Sequence, residues 1–397
     1  MTPVALIIAI ALAQSTPTVE AVNKQPKGWM KGGWGGYSVK VRMSGPFRVV
    51  RWTARWTDAE GKPTGGDPWG GPVDADVTDE WTKDDIGYLP PEVADKGNPY
   101  VDGSVTVFQK DKETTLPFRF AVPVATLPEP LKTITGKTVA LALQASRYKT
   151  FKSAKRTLGW IDRCYQSMID LTGEKPFNGR IMTFKESPAH PWWAYAGQEM
   201  ILNTDYVGQT LQEFDKGYIS FGWVHEVGHN FDTLGDWYIW SGPAAEFQAN
   251  FKLCYALESL GDGVRINCRY TTDLYAPGAP SRPVTPSQLI DAFFMPFGDG
   301  YLADPSRKWD SMSSDEIHSF FMRIEKTYGW EPFKRWYRTY RRLAAEGKKP
   351  PEKSEEKIAL IAAILCKETG SDLLPAFRLW RLPVDGVDEM RKRYGIE

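Results

Sequence analysis

The hydrophobic pattern of this chain changes its period near residue 130, and this change limits the possible folds more than any other feature. In residues 28–124, apolar and polar residues alternate in short segments separated by Gly-Pro and Gly-Gly pairs, as in half-buried β-strands. Beyond that region, apolar residues recur at helical spacing. Because 397 residues are too many for one small core, we predict a multidomain protein. A small β-sandwich at residues 28–124 is followed by an α+β domain at 131–397 with a mostly helical C-terminal half.

Local signals place individual elements within this outline. The predicted strands of the first domain lie at residues 37–43, 47–56, 105–108 and 116–124. The stretch VATLPEPLKT, residues 124–133, is predicted to be a linker. The predicted helices lie at residues 153–171, 313–328, 331–343 and 355–366. Gly173 ends the first helix, and Ser313 with Glu316 forms a capping box at the start of the second.

The composition argues against one class of partner. The 49 basic and 49 acidic residues give a formal net charge of zero, whereas nucleic-acid-binding domains normally carry a basic surplus. We therefore expect no nucleic-acid partner. The 16 tryptophans are consistent with large aromatic cores or with surfaces that stack on sugar rings.

The N-terminus has the pattern of an export signal. Residues 4–13, VALIIAIALA, are apolar without interruption, and Ala11-Leu12-Ala13 is a small-x-small cleavage pattern. The run is too short to cross a bilayer, which takes about 20 residues. We predict a cleaved signal peptide at residues 1–13, no membrane span, and a secreted, periplasmic or cell-surface location.

Four cysteines, at positions 164, 254, 268 and 366, permit disulfides in an exported chain. Cys254 and Cys268 are closest in sequence and are the first candidates for a pair, while buried free thiols are the alternative. Because no two cysteines form a CxxC motif, we do not expect a cysteine zinc site.

The segment GWVHEVGHNF contains two of only four histidines in the chain. His225 and His229 stand at i and i+4, so on a helix they share one face and can bind one tetrahedral Zn²⁺. Glu226 points elsewhere on the helix and is placed to take a proton from a water molecule that the metal activates. The alternative is a histidine pair that is hydrogen-bonded inside a core.

A catalytic zinc normally has three protein ligands, so the third ligand decides the class of enzyme. The metzincin pattern requires Gly three residues after His229 and His six residues after it. Those positions hold Asp232 and Gly235, which excludes the metzincin pattern. A gluzincin instead takes its third ligand from a glutamate on a second helix.

The segment SGPAAEFQAN, residues 241–250, supplies such a helix. Ser241 can cap its start and Pro243 suits its first turn. Glu246 then faces inward early in this helix, with sixteen residues (230–245) between it and His229, and is the candidate third ligand. Asn250, one turn further on, can hold the outer nitrogen of a ligating histidine. The alternatives are that Glu246 is a solvated first-turn acid, and that Asp236 is the third ligand.

HEVGHNF followed by Glu246-Phe-Gln-Ala-Asn250 resembles the enhancin-type gluzincin metallopeptidases, whose bacterial members include mucin-degrading proteases. The likeness continues upstream in AHPWWAYAG, residues 189–197, and downstream in YGWEPFK, residues 328–334. It covers residues 131–380 and leaves residues 28–124 uncovered. The resemblance implies a zincin-like metallopeptidase domain, one Zn²⁺ per chain, and cleavage of glycoprotein substrates that often carry O-linked sugars.

Other residues are candidates for substrate contacts. Trp192, Trp193 and Tyr195 precede the HExxH helix, where their rings can stack on sugars or form the edge of a core. Tyr195 and Tyr238 are the candidates for an oxyanion-stabilising donor. The two remaining histidines, His190 and His318, are expected to be structural.

The sequence therefore predicts a secreted zinc metallopeptidase that hydrolyses peptide bonds, with glycoproteins such as mucins or peptides as substrates. One alternative is a non-catalytic glycan-binding surface protein on a zincin-like scaffold. The other is a gluzincin aminopeptidase, although we find no motif that would hold the amino terminus of a substrate.

Overall fold

The computed structural model describes residues 16–261, 263–267, 283–291 and 295–396. The predicted signal peptide at 1–13 lies outside these residues, as does Cys268, so the export signal and the Cys254–Cys268 pair stay predictions. Cys164 and Cys366 are buried free thiols.

Two compact units make up the chain. The first contains the described residues up to Pro128 together with Ser187–Trp193 and Asn203–Asp205. The second contains Glu129–Glu186, Ala194–Leu202 and Tyr206–Glu397.

The first unit is rich in strands. They are β1 (Thr18–Asn23), β2 (Trp29–Met30), β3 (Gly33–Arg42), β4 (Phe47–Thr57), β5 (Trp69–Val77), β6 (Glu80–Leu89), β7 (Tyr100–Gln109), β8 (Lys112–Ala121) and β9 (Val124–Ala125), with one short helix, α1 (Pro91–Ala94), before β7. One antiparallel sheet has the order β1-β3-β6 and a second has the order β5-β4-β7-β8. The inward residues of both sheets form one core, because their apolar side chains alternate with outward polar ones.

Trp29 lies in the centre of this core with no exposed surface. Its ring packs flat on β3 at Gly35, where a Cβ atom would come within 1.8 Å of the ring. Only glycine leaves room for this contact, which explains part of the glycine content of the segment GWGGY.

The second unit begins with a five-stranded sheet of order β10-β11-β12-β14-β13. Its strands are β10 (Leu131–Thr135), β11 (Val139–Gln144), β12 (Met182–Ser187), β13 (Ala194–Tyr195) and β14 (Glu199–Asn203). Every residue of β11 is buried, as its apolar sequence VALALQ requires for a strand inside the sheet. The linker prediction for residues 124–133 is therefore wrong in part, because both ends of that stretch form strands, β9 and β10. A separate parallel pair joins β15 (Tyr218–Ser220) and β16 (Arg265–Asn267).

The rest of the second unit is mostly helical. Its helices, together with α4, which begins in the first unit, are α2 (Arg147–Thr150), α3 (Ala154–Thr172), α4 (Thr204–Asp215), α5 (Phe221–His229), α6 (Gly242–Leu260), α7 (Pro286–Leu289), α8 (Met295–Ala303), α9 (Ser314–Tyr328), α10 (Glu331–Ala345), α11 (Ser354–Thr369), α12 (Leu374–Leu379) and α13 (Val387–Tyr394). The prediction of a strand-rich N-terminal region and a mostly helical C-terminal half is confirmed. Gly173 ends α3 in the left-handed conformation, and Ser313 with Glu316 forms the predicted capping box of α9. Among the described residues, no helix combines the length and apolarity needed to span a membrane.

Helix α6 lies at the centre of this unit and contacts α3, α5 and α9. Its aromatic residues Phe247 and Phe251 pack with Phe321 of α9 and Phe333 of α10. Many of the aromatic residues therefore pack in the core, as predicted by the interpretation of the tryptophan content as large aromatic cores.

Candidate metal centre

Helix α5 presents its two histidines together. Ser220 caps the helix by accepting a hydrogen bond from the backbone N–H of Trp223 at 3.4 Å. Trp223 and the valines of the helix are buried, which leaves the histidine side chains on the opposite, partly open face with 14% and 21% exposure. The Nε2 atoms of His225 and His229 lie 3.0 Å apart, and the two rings are nearly perpendicular at 87°.

Helix α6 adds a carboxylate to this pair. Ser241 accepts a hydrogen bond from the backbone N–H of Ala244 at 3.3 Å, and Pro243 lies in the first turn, so both helix-start predictions are confirmed. The Oε2 atom of Glu246 lies 3.1 Å from Nε2 of His225 and 3.5 Å from Nε2 of His229. All three potential ligand atoms therefore point at one position.

The distances fit a tetrahedral metal ion. Zinc bonds of about 2.0–2.1 Å at tetrahedral angles separate neighbouring ligand atoms by about 3.3 Å. The observed separations of 3.0, 3.1 and 3.5 Å lie around this value. Within the part of the chain that the structure describes, these three residues are the one His/Cys/Asp/Glu group that could hold a metal ion. Two imidazoles and a carboxylate are also a donor set that suits zinc.

Asn250 lies on the outer side of His225. Its Oδ1 atom is 2.7 Å from Nδ1 of the histidine, and because an amide oxygen only accepts, Nδ1 carries the proton. In the neutral ring, Nε2 then has a free lone pair that points toward the position shared with His229 and Glu246. This contact selects the tautomer that binds a metal ion.

Glu226 is buried, with 8% exposure, and its carboxylate is not part of the three-residue group. Burial raises its pKa, the charges of His225 and His229 oppose this, and Glu246 raises it further. When a proton on Nε2 of His225 or His229 is donated to Glu246, that hydrogen bond lowers the pKa of the Glu246 carboxyl group. Burial lowers the pKa of His225, but the hydrogen bond to Glu246 and the nearby carboxylates raise it overall. The site is therefore a compact group of coupled charges.

Gly228, between the two histidines, was not singled out from the sequence. A Cβ atom at this position would lie 2.6 Å from the carbonyl oxygen of Ala249 and 3.1 Å from its Cα atom. The absence of a side chain lets α5 approach the backbone of α6 closely enough to bring Glu246 to the histidines. The letter G in HEVGH is visible in the sequence, but its partner on α6 is not.

Asp315 in the first turn of α9 is a second residue that the sequence did not reveal. Burial raises its pKa to about 6, the neighbouring Glu316 adds to this, and the charge of His225 opposes it. Asp315 is therefore a further carboxyl group in the electrostatic environment of His225.

The structure divides the predicted aromatic contacts between the two units. Trp192 belongs to the first unit, is 38% exposed, and lies edge-on to Trp34 with ring centroids 6.1 Å apart. Trp193 is partly exposed in the same unit. Tyr195 is partly exposed in β13, which contacts α5 in the second unit.

The interpretation of Tyr238 as an oxyanion donor is wrong. Its ring has no exposed surface, and its hydroxyl donates to Oδ1 of Asp232 at 3.0 Å, inside the core. Asp236 is exposed and outside the three-residue group, so it is not the third ligand of that group. His190 and His318 are buried, and burial lowers their pKa values to about 4 and about 3, as expected for neutral structural histidines.

No protein-family model matches the sequence, and no curated protein matches it. Among solved structures, the chain is similar to a functionally unknown conserved protein, crystallised as a mutant, from Bacillus anthracis str. Ames. That match has 15% identity and a TM-score of 0.49 over 96% of this chain and 78% of that chain. The chain is also similar to a metallopeptidase in complex with Tn antigen, with 11% identity and a TM-score of 0.44 over 90% of this chain and 71% of that chain. Such scores assign no function, so the function has to be inferred from the site itself.

The close approach at Gly228 leads to a stability and binding prediction. Gly228→Ala places a methyl group against the Ala249 carbonyl, and we expect a loss of about 1–3 kcal/mol in the free energy of unfolding through overpacking. Zinc affinity, measured by competition with a chelator, falls as well because Glu246 moves away from the histidines.

Gly159→Ala is the matched control for this substitution. Gly159 lies in α3, and a Cβ atom there meets nothing within 4 Å. We expect this variant to be more stable by about 0.5–1 kcal/mol, with zinc affinity unchanged. If Gly228→Ala has the same stability and the same zinc affinity as the wild type, the close approach of α5 to α6 does not position Glu246.

Proposed function

We propose that this chain is an exported zinc metallopeptidase that hydrolyses peptide bonds in glycosylated proteins such as mucins. The observation that supports this most is the convergence of His225, His229 and Glu246 on one position, with Glu226 on the same helix as the two histidines. Asn250 supports the same function because it sets the tautomer of His225. The zincin-like character of the domain at 131–397 and the β-sandwich at 28–124 are parts of this proposal.

In this proposal, His225, His229 and Glu246 hold the zinc ion. When bound, the ion lowers the pKa of water to about 7 and polarises the scissile carbonyl. Because three protein residues would hold the ion, one coordination position would remain open to water or substrate. The carboxylate of Glu246 is half-exposed, which keeps this side of the group accessible from solvent.

Glu226 performs the proton transfers. Its carboxylate accepts a proton from the attacking water and then donates it to the nitrogen of the leaving amine. In the metal-free protein, burial raises the pKa of Glu226 and so favours its neutral form. Tyr195 is the remaining candidate for a donor to the developing oxyanion, because its strand contacts α5.

We propose that the backbone of the substrate binds along strand β13. This strand forms one edge of the five-stranded sheet and contacts α5. An extended peptide that pairs with an edge strand gains main-chain hydrogen bonds and can offer alternate side chains to the enzyme. Trp192 and Trp193 are proposed to contact the sugars of a glycosylated substrate, because aromatic faces stack on sugar rings.

The two alternatives have less support. A non-catalytic glycan-binding protein needs neither a complete set of three potential ligands nor a carboxylate such as Glu226 on the same helix. A gluzincin aminopeptidase would need groups that hold a substrate ammonium. No contact in the described part of the chain assigns that role to a particular residue.

We expect about one Zn²⁺ per chain, measured by elemental analysis of the purified protein. His225→Ala and Glu246→Gln should each lower the zinc affinity strongly, because each removes one of three ligands. Glu199→Gln is the matched control, since Glu199 pairs with Lys185 at the surface. Unchanged zinc content in both site variants would contradict the assigned ligands.

The roles of base and ligand can be separated at Glu226. Glu226→Gln should retain the zinc ion and lower kcat by about 10²–10⁴-fold, because an amide does not accept the proton of water. Glu226→Asp keeps the carboxylate but withdraws it by one methylene, so we expect an intermediate rate. Peptide hydrolysis by Glu226→Gln at the wild-type rate would exclude the proposed mechanism.

A glycan preference is tested with a matched pair of peptides that differ only in one O-linked sugar. We expect a higher kcat/KM for the glycopeptide, and Trp192→Ala or Trp193→Ala should reduce this preference by roughly 3- to 10-fold, the worth of one aromatic contact. Tyr206→Ala is the control, because Tyr206 is 39% exposed, like Trp192 at 38%. Equal wild-type rates on both peptides would remove the glycan preference and leave the peptidase activity intact.

A further inference from the structure

Lys252 is a lysine without exposed surface in the middle of α6. Its Nζ atom lies 2.5 Å from Oδ1 of Asp232 and 3.3 Å from the carbonyl oxygen of Gln248. The rings of Tyr238 and Tyr337 flank the ammonium group, with centroids 5.9 and 6.0 Å away. The charge is therefore enclosed by one carboxylate, one carbonyl and two aromatic faces.

The ion pair joins the two helices that carry the candidate metal centre. Asp232 comes three residues after His229, the last residue of α5, and its backbone N–H donates to the carbonyl oxygen of His229 at 3.1 Å. Lys252 comes two residues after Asn250, which on a helix places the two side chains on nearly opposite sides. The pair thus links the end of α5 to α6 on the side away from Glu246.

A second carboxyl group completes this buried network. Glu174 is 5% exposed and accepts hydrogen bonds from the backbone N–H and the hydroxyl of Thr233, the residue after Asp232. Burial raises the pKa of Glu174, while the Thr233 hydrogen bond and the charge of Lys252 oppose this. The segment after α5 is therefore held by two carboxyl groups: Asp232, whose side chain is 11% exposed, pairs with Lys252, and buried Glu174 binds Thr233.

Stability alone does not explain such a pair. Two charges taken out of water lose their hydration, and apolar residues of similar volume are often as stable or more stable at such positions. What an ion pair adds over packed methyl groups is a short, directional contact between two defined atoms. At this place, that contact fixes how far the end of α5 lies from α6.

We infer that Lys252 and Asp232 are positioning residues for the metal centre, because their ion pair sets the distance between His229 and Glu246. This inference rests on the proposed zinc site. It assigns a role in metal affinity to two residues that do not belong to the three-residue ligand group.

The test uses the double variant Lys252→Met/Asp232→Asn. Methionine keeps most of the volume of the lysine side chain, and the asparagine oxygen still accepts the hydrogen bond of the Tyr238 hydroxyl. Both charges of the ion pair are removed together, so no unpaired charge stays buried. We expect the metal-free variant to remain folded, because neither substitution leaves a buried charge without its partner. Zinc affinity, by chelator competition, should fall about 10- to 100-fold, and the visible spectrum of the Co²⁺-substituted protein should change with the ligand geometry.

Two further variants complete the design. Asp232→Glu keeps the charge pair but lengthens it by one methylene, so a changed Co²⁺ spectrum is expected even if the double variant does not fold. Lys334→Met/Asp170→Asn removes another ion pair, 2.7 Å long, between α10 and α3, and should leave zinc affinity and the spectrum unchanged.

The outcomes separate the two proposals. The positioning role alone would be overturned if the wild-type chain binds metal and both Asp232→Glu and the folded double variant have the same metal affinity and the same Co²⁺ spectrum as the wild type. A wild-type chain that binds neither Zn²⁺ nor Co²⁺ would overturn the proposed function, and the positioning role with it.

Discussion

The backbone contact between Gly228 and Ala249 is the constraint on which the candidate metal centre depends. Helix α5 contains nine residues, which is too short for a helix to be stable in water without tertiary packing. Its orientation is set by neighbours: Trp223 stacks on Phe184 of β12 at 4.6 Å on one side, and Gly228 meets α6 on the other. The histidines then face Glu246 because both helices are fixed, and not because the HExxH segment alone defines a site.

How much the sequence predicts depends on whether a feature is set locally. The i, i+4 spacing of the histidines and the Ser241 cap act within one turn of helix, so both could be read from the sequence. The strands β3 and β4 were predicted from their alternation, whereas β5 and β6 were not, because glycine, proline and aspartate weaken their pattern. Gly228, Lys252 and the burial of Tyr238 depend on partners far away in the chain, which local patterns do not contain.

Helix α6 is largely buried and contributes side chains to two polar networks. Almost every residue from Phe247 to Leu257 is buried, so each polar side chain there needs a partner. Lys252 binds Asp232, Gln248 accepts from the Tyr337 hydroxyl at 2.6 Å, and Asn250 binds His225. The network around Lys252 and the group around His225 thus occupy different sides of the same helix, which couples the packing of the core to the geometry of the candidate site.

Glu246 differs from these residues because its side chain is 54% exposed and water could solvate its charge. It nevertheless lies beside two imidazole nitrogens that are only 3.0 Å apart. When the ring of His225 is neutral, the lone pair on its Nε2 atom and the carboxylate oxygen of Glu246, 3.1 Å away, repel one another unless a proton or a metal ion lies between them. A proton can join only two of the three atoms at a time, whereas a divalent cation binds all three, and metal binding generally releases such protons. The geometry of the three atoms is therefore better matched to a metal ion than to a hydrogen-bonded histidine pair in a core.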